Sequence, residues 1–247
     1  MITQLENLKD VVSAASEAYD QLKSFPVWWR GQGNAEWHLV PSVLRGSKPE
    51  GHERAIAARF VQRAPSRYGR PCPTSEQPGA WLFLMQHYRL PTRLLDWTES
   101  VFVATFFAVE THPDKPGVVW ALNPFRLNGI YSDGPQLLFP ENETKDLMPL
   151  LAMAFTKGIA PLERYIALVT SEVDIRMMLQ LSGFTIHGTK EPLDQTPRRD
   201  EFLLRYEISA AAKPVIKREL RRCGIRRSTL FPDLENLASD LAEAPFD

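Results

Sequence analysis

The sequence holds only two cysteines, Cys72 and Cys223. Two thiols cannot form a disulfide framework or a multi-cysteine zinc site, and their scarcity suits a reducing compartment. Long apolar runs are also missing. The longest near-continuous one, residues 101–109, is less than half of the roughly 20 residues that span a bilayer. Charges occupy the first ten residues where a secretory leader would be apolar, so a soluble, cytoplasmic protein is expected, with no membrane partner. An excess of either charge is lacking, with 29 Lys and Arg against 30 Asp and Glu. A general electrostatic attraction to nucleic acid is thereby removed, and only a local basic patch could supply one. No Gly/Ser linker, internal repeat, phosphate-binding P-loop, dinucleotide-type glycine fingerprint or GxSxG elbow occurs. The five histidines show no paired helical spacing, so no metal is expected.

What is present suffices for a core: 44% of the 247 residues are hydrophobic, and without a break in composition one domain is expected. Apolar residues recur at helical spacing over 4–23, and helices are also predicted over 51–63 and 80–88. Between the last two, prolines at 65, 71, 73 and 78 mark residues 64–79 as a surface loop. Residues 98–110 are apolar almost all round and predict a buried helix. The Asp96–Glu99 spacing resembles a capping box, which makes Asp96 the expected cap. Strands are predicted at 27–31, 117–122, 165–169, 184–187 and 203–208. Further helices are predicted at 148–157, 171–181, 213–223 and from Pro232 onward, the last with Leu234, Leu237, Ala238 and Leu241 on one face. Strands interleaved with helices give an α+β fold: a single mixed domain with a central buried helix and a small, partly antiparallel sheet.

Three stretches concentrate chemistry. Trp28, Trp29, Arg30, Gly31, Gln32 and Gly33 place a guanidinium at the end of an aromatic strand, beside glycines that admit close backbone approach. Such an arginine either grips a phosphate or carboxylate, or stacks and pairs internally. Gln86, His87 and Tyr88, followed by Thr92, Arg93, Asp96 and Thr98, form a dense polar run between apolar helices. Buried groups of this kind must pair with one another or with a ligand. Arg176 and Gln180 lie one helical turn apart. The basic run at 217–227 is first a solvated helix face and second a nucleic-acid contact.

Trp29, Arg30, Gly31 and Gln32, followed by Trp37, Leu39, Pro41, Ser42 and Leu44, resemble the opening of the FRG domain. The run from Met85 to Thr98, continued by Ala104, Phe106, Phe107 and Ala108, is similar to that family's strongest signature. Arg176, Gln180, Gly183 and Phe184 resemble its third motif, and residues 229–234 its C-terminal one. The resemblance implies an FRG domain over 27–243, preceded by an N-terminal helix within 1–26. Trp29 replaces the usual Phe or Tyr, and Arg89 stands where a glycine is usual.

The order Arg30, then Thr92 or Thr98, then Gln180 is similar to that of NAD-dependent ADP-ribosyltransferases, with Trp29 and Tyr88 available to stack a ring. That comparison implies NAD as co-substrate, no metal, and a protein or nucleic-acid target, in a bacterial toxin or defence setting. His87, Asp96 and Gln180 are then the candidate catalytic residues. Trp29, Arg30, Gln32, Tyr88, Thr92, Arg93 and Thr98 are the candidate ligand-binding residues. Since Gln180 carries no charge, Asp96 or Glu201 must supply the carboxylate that steadies a cationic ribosyl centre. The alternative is a non-catalytic module that binds a nucleotide or RNA. A metal-dependent nuclease ranks last, for want of a third carboxylate beside Asp96 and Glu99.

Overall fold

The computed structural model describes residues 4–140, 144–169 and 179–243. Its centre is a six-stranded sheet. In chain order the strands are β1 (Trp28–Gln32), β2 (Leu94–Thr98), β3 (Gly117–Leu122), β4 (Tyr165–Leu168), β5 (Ser182–His187) and β6 (Leu203–Ile208). Their spatial order is β4-β5-β2-β1-β3-β6. Every pairing between these strands is antiparallel, so the sheet is larger and more uniform than the small, partly antiparallel one expected.

One junction in this sheet is weak. β1 aligns with β3 along five residue pairs, from Trp28↔Leu122 to Gln32↔Val118. It meets β2 at one pair only, Trp29↔Thr98. The sheet is therefore two three-stranded halves joined by a single rung.

Strand side chains alternate between faces, and the register sorts them accordingly. On one face, Trp29, Val119, Ala121, Tyr206 and Ile208 pack beneath α1 (Leu8–Leu22), α4 (Val101–Glu110) and α7 (Lys213–Arg222). On the same face of the other half, Leu94, Ile166, Leu168, Phe184 and Ile186 pack beneath α2 (His52–Arg63), α3 (Pro78–His87) and α6 (Leu147–Ala152). The reverse face buries Trp28, Leu95, Trp97, Trp120 and Leu122 with Leu127 of α5 (Pro124–Tyr131) and with Phe202. Two short helices close the described chain, α8 (Arg227–Leu230) and α9 (Leu234–Glu243). None of the described helices is long and apolar enough to cross a membrane.

α4 is the central buried helix that its composition predicts, and three glycines let it lie against strand backbone. A Cβ on Gly31 would come within 1.7 Å of the Ala104 carbonyl oxygen, one on Gly33 within 2.1 Å of Thr111 Oγ1, and one on Gly117 within 2.5 Å of the Ala108 carbonyl oxygen. The glycines around Arg30 thus admit a helix rather than a ligand. The start of α4 differs from expectation. Residues 94–98 form β2, and the helix begins at Val101, where Ser100 Oγ accepts from the Val103 amide at 3.4 Å. Thr98 Oγ1 accepts from the Ser100 amide at 3.1 Å. Asp96 lies within the strand and caps nothing. Most of the helix expected at 171–181, Arg176 included, lies outside the described residues.

Candidate functional site

Because the two helical packs cover separate halves of one sheet face, a seam runs between them above β1 and β2. It opens into a cleft of about 530 Å³, within the ~300–1,000 Å³ range of small-molecule sites. Trp29, Gly31, Asp96 and Thr98 of the two strands contribute to its lining. α4 supplies Phe106, Phe107 and Glu110 from one side, and the end of α3 supplies Gln86, with Arg89 and Leu90 beyond it. Ser42 and Arg45 come from the loop after β1, Gln180 and Ser182 from the approach to β5, and Arg227 and Phe231 from the C-terminal segment.

Arg30 is the pivot of the cleft. By alternation it belongs to the reverse face of the sheet, yet its guanidinium lies in the gap where β1 and β2 part. There Nη1 donates to the Asp96 carbonyl oxygen at 2.6 Å and stands 3.9 Å from Asp96 Oδ2. Its Nε is buried and finds no acceptor among the described residues. Burial pushes the Arg30 guanidinium down to about 10, with the Asp96 carboxylate opposing the shift and Arg45 adding to it. It remains a cation at neutral pH. Arg45 is also lowered by burial, again opposed by Asp96.

Asp96 is held from a second direction. Gln86 Nε2 donates to both carboxylate oxygens, at 2.8 and 2.9 Å. Thr92 Oγ1 in turn donates to Gln86 Oε1 and accepts from the Leu94 amide at 3.1 Å. The relay Thr92–Gln86–Asp96 fixes the orientation of the carboxylate while its side chain stays 56% exposed towards the cleft. An oriented yet accessible carboxylate can still receive a developing positive charge.

At the opposite end, Glu110 lies 3.0 Å from Lys217 Nζ and 3.5 Å from Arg227 Nη1. The guanidiniums of Arg89 and Arg227 both pack on the Phe231 ring, at 5.9 and 5.5 Å from its centroid, a favourable cation–π geometry. Arg89 adopts φ +60°, the left-handed backbone that glycine accepts most readily. That explains why a glycine is usual there, and the chain leaves α3 as a glycine would let it. Among the described lining residues, four guanidiniums (Arg30, Arg45, Arg89, Arg227) face two carboxylates (Asp96, Glu110). The cleft is therefore net positive and has aromatic walls.

Of the residues singled out in the sequence, Trp29, Arg30, Gln32, Asp96, Thr98 and Gln180 line this cleft. Gln180 Nε2 donates to the Leu230 carbonyl oxygen at 3.1 Å, which ties the C-terminal segment to the β5 side of the seam. The others are not brought there. Arg93 is buried in an ion pair with Glu53, its Nε donating to Oε1 at 3.1 Å, and its Nη1 donates to the His187 carbonyl oxygen at 3.1 Å. It is a core cation, not an anion grip. Thr92 is 1% exposed and acts through Gln86. His87 packs edge-on against Tyr88 with ring centroids 4.9 Å apart, and Tyr88 lines a separate groove. Glu201 pairs with Arg198 and Arg126 away from the cleft. Conversely, Gln86, Arg45 and Arg227 enter the cleft without having been selected. Gln86 lay in the polar run, Arg227 in the run taken first as a solvated face, and Arg45 carried no signal. No group of histidine, cysteine, aspartate and glutamate suited to a metal ion occurs among the described residues.

No curated protein and no solved structure matches the chain. A family model does match, at residues 26–116. That span holds β1, α2, α3, β2 and α4, hence most of the cleft lining; only Gln180, Ser182, Arg227 and Phe231 come from outside it. That model is of the FRG domain, to which the chain is similar over the residues that supply most of the cleft lining.

Proposed function

We propose that the cleft binds a nucleotide, with NAD as the co-substrate of an ADP-ribosyl transfer. The observation that carries this reading is the joint presence of unneutralised guanidiniums, aromatic walls and one oriented carboxylate in a single seam. Guanidiniums match phosphate oxygens with a planar fork, and Arg45 together with the guanidinium of Arg30 supplies the grip for a diphosphate. The exposed Trp37 and the half-buried Phe107 offer surfaces for a flat base, whereas Trp29 is sealed in the core.

In this reading the bond between the ribose C1′ and the nicotinamide nitrogen breaks, and nicotinamide leaves with the bonding electron pair. Asp96 steadies the positive charge that develops on the ribose. A hydroxyl, amine or carboxylate of the acceptor then bonds to C1′, and any proton it loses passes to solvent or a neighbouring base. Gln180 does not act in the chemistry; it fastens Leu230 and hence the wall bearing Arg227 and Phe231.

A second reading is a nucleotide-binding module without turnover. The specific observation in its favour is that Asp96 is already engaged by Gln86 and Arg30. One experiment separates the two. NAD, ADP-ribose and ATP are titrated into the wild type and Arg45→Ala, and nicotinamide release is followed in the wild type and Asp96→Asn. Transfer chemistry requires NAD binding weakened by roughly tenfold or more in Arg45→Ala, with release lost in Asp96→Asn. Binding with no release supports the module, and binding of none of the three nucleotides overturns both.

A further inference from the structure

We propose that the chain pairs with a second copy of itself by seating the leucine face of α9 in the groove between α2 and α3 of the partner. The proposal does not depend on what the cleft binds.

The groove, about 500 Å³, is walled by Phe60, Ala64, Leu84 and Leu90 and rimmed by arginines of α2 and the loop after it. Arg59 and Arg63 lie one turn apart on α2 and share one face, and Arg67 joins them on the rim from the loop that follows. All three are exposed, and none pairs with a carboxylate among the described residues. The one acidic side chain of α2, Glu53, is committed to Arg93 inside the core. An apolar trough bordered by unneutralised cations fits an acidic amphipathic helix.

The same molecule displays such a helix. α9 carries Glu235, Asp240 and Glu243 and no basic residue. Asn236 and Asp240 fasten it to its own chain: Asn236 Oδ1 accepts from Arg227 Nε at 2.7 Å, and Asp240 Oδ2 accepts from the Ser228 amide at 2.7 Å. That leaves Leu234, Leu237 and Leu241 pointing elsewhere, 82, 43 and 59% exposed. Their i, i+3, i+7 spacing is that of helices which bind in grooves. Three large apolar side chains in one row, with nothing in the described chain covering them, form an interaction surface rather than scattered exposed leucines.

The charges of groove and helix are opposite, and the anchors suit the trough. If each copy gives its α9 and receives its partner's, the interface is isologous and closes as a two-fold dimer. It also touches the cleft. Leu90 lines both the groove and the cleft, and α9 follows directly on the segment bearing Arg227 and Phe231. Assembly would thus brace both rims of the seam.

Light scattering on the full chain across a concentration series reads the mass directly. The expected result is twice the 28.1 kDa of the single chain, falling to the monomer in Leu237→Asp/Leu241→Asp and in Arg59→Glu/Arg63→Glu. Both double variants alter exposed side chains, and unchanged circular dichroism confirms that each is folded. A cysteine at 241 paired with one at 63 should cross-link two differently tagged chains. A wild type that stays monomeric, a dimer indifferent to both double variants, or a cross-link confined to one chain overturns the proposal. So does a monomer that binds an acidic amphipathic peptide in the groove instead.

Discussion

Arg30 and Asp96 meet through the backbone as much as through their charges: the guanidinium donates to the Asp96 carbonyl oxygen at 2.6 Å, and the carboxylate stands 3.9 Å away. The arginine therefore substitutes for a ladder hydrogen bond where β1 and β2 have separated. It serves the fold and the cleft together.

Removing Arg30 therefore costs the fold as well as the cleft. Arg30→Ala should lower stability by about 1–3 kcal/mol, the cost of stranding a buried polar partner, as well as removing nucleotide binding. Chemical denaturation checks the first effect and calorimetric titration the second. Loss of binding with unchanged stability would show that the backbone contact contributes nothing.

Ser100→Ala should destabilise by about 0.5–2 kcal/mol, since Ser100 caps the buried helix. Asp96→Asn, which leaves that cap intact, should cost less. Thermal melts of both variants rank them, and the reverse order would restore Asp96 as the cap.

Glu53→Ala should be more damaging than either. It leaves the 5% exposed Arg93 without its carboxylate, and breaking a buried pair by deleting one partner costs about 3–5 kcal/mol. Below the melting temperature, nucleotide affinity should stay near that of the wild type, because Arg93 does not line the cleft. Equilibrium unfolding and titration of the same preparation test both statements.

His187 gives a pH signature. It is fully buried, and burial pushes its imidazole down to about 3, with Arg30 and Arg93 adding to the shift. The unfolded chain, with histidine near its ordinary pKa of about 6.5, binds the proton that the native chain refuses. This contribution is complete above about pH 6.5 and is lost as pH falls towards 3, with a slope of up to about 1.4 kcal/mol per pH unit. In unfolding measured from pH 4 to 7, His187→Asn should flatten this part of the profile. An unchanged slope would place its origin elsewhere.

Much of the architecture was legible because local chemistry agreed with the fold. The all-round apolarity of residues 101–109 and the six apolar or glycine positions of 117–122 leave few other arrangements. β2 was not legible: Asp96 and Thr98 interrupt its apolar pattern, and Asp96 with Glu99 imitates a helix cap. Its strand identity comes from pairing with β5, some ninety residues away. Two arginines singled out in the sequence show the same limit at the site. Arg30 and Arg93 look alike as anion binders, and only the fold brings Glu53 onto one and leaves the other with a buried free nitrogen. Arg45 and Arg227 reach the cleft through tertiary packing alone.

A sheet joined across its middle by one rung and one side chain has an internal crease, and the crease underlies the cleft. Were an anion in the cleft to draw Arg30 Nη1 away from the Asp96 carbonyl, the Trp29–Thr98 rung would be left as the one strand pairing across the crease.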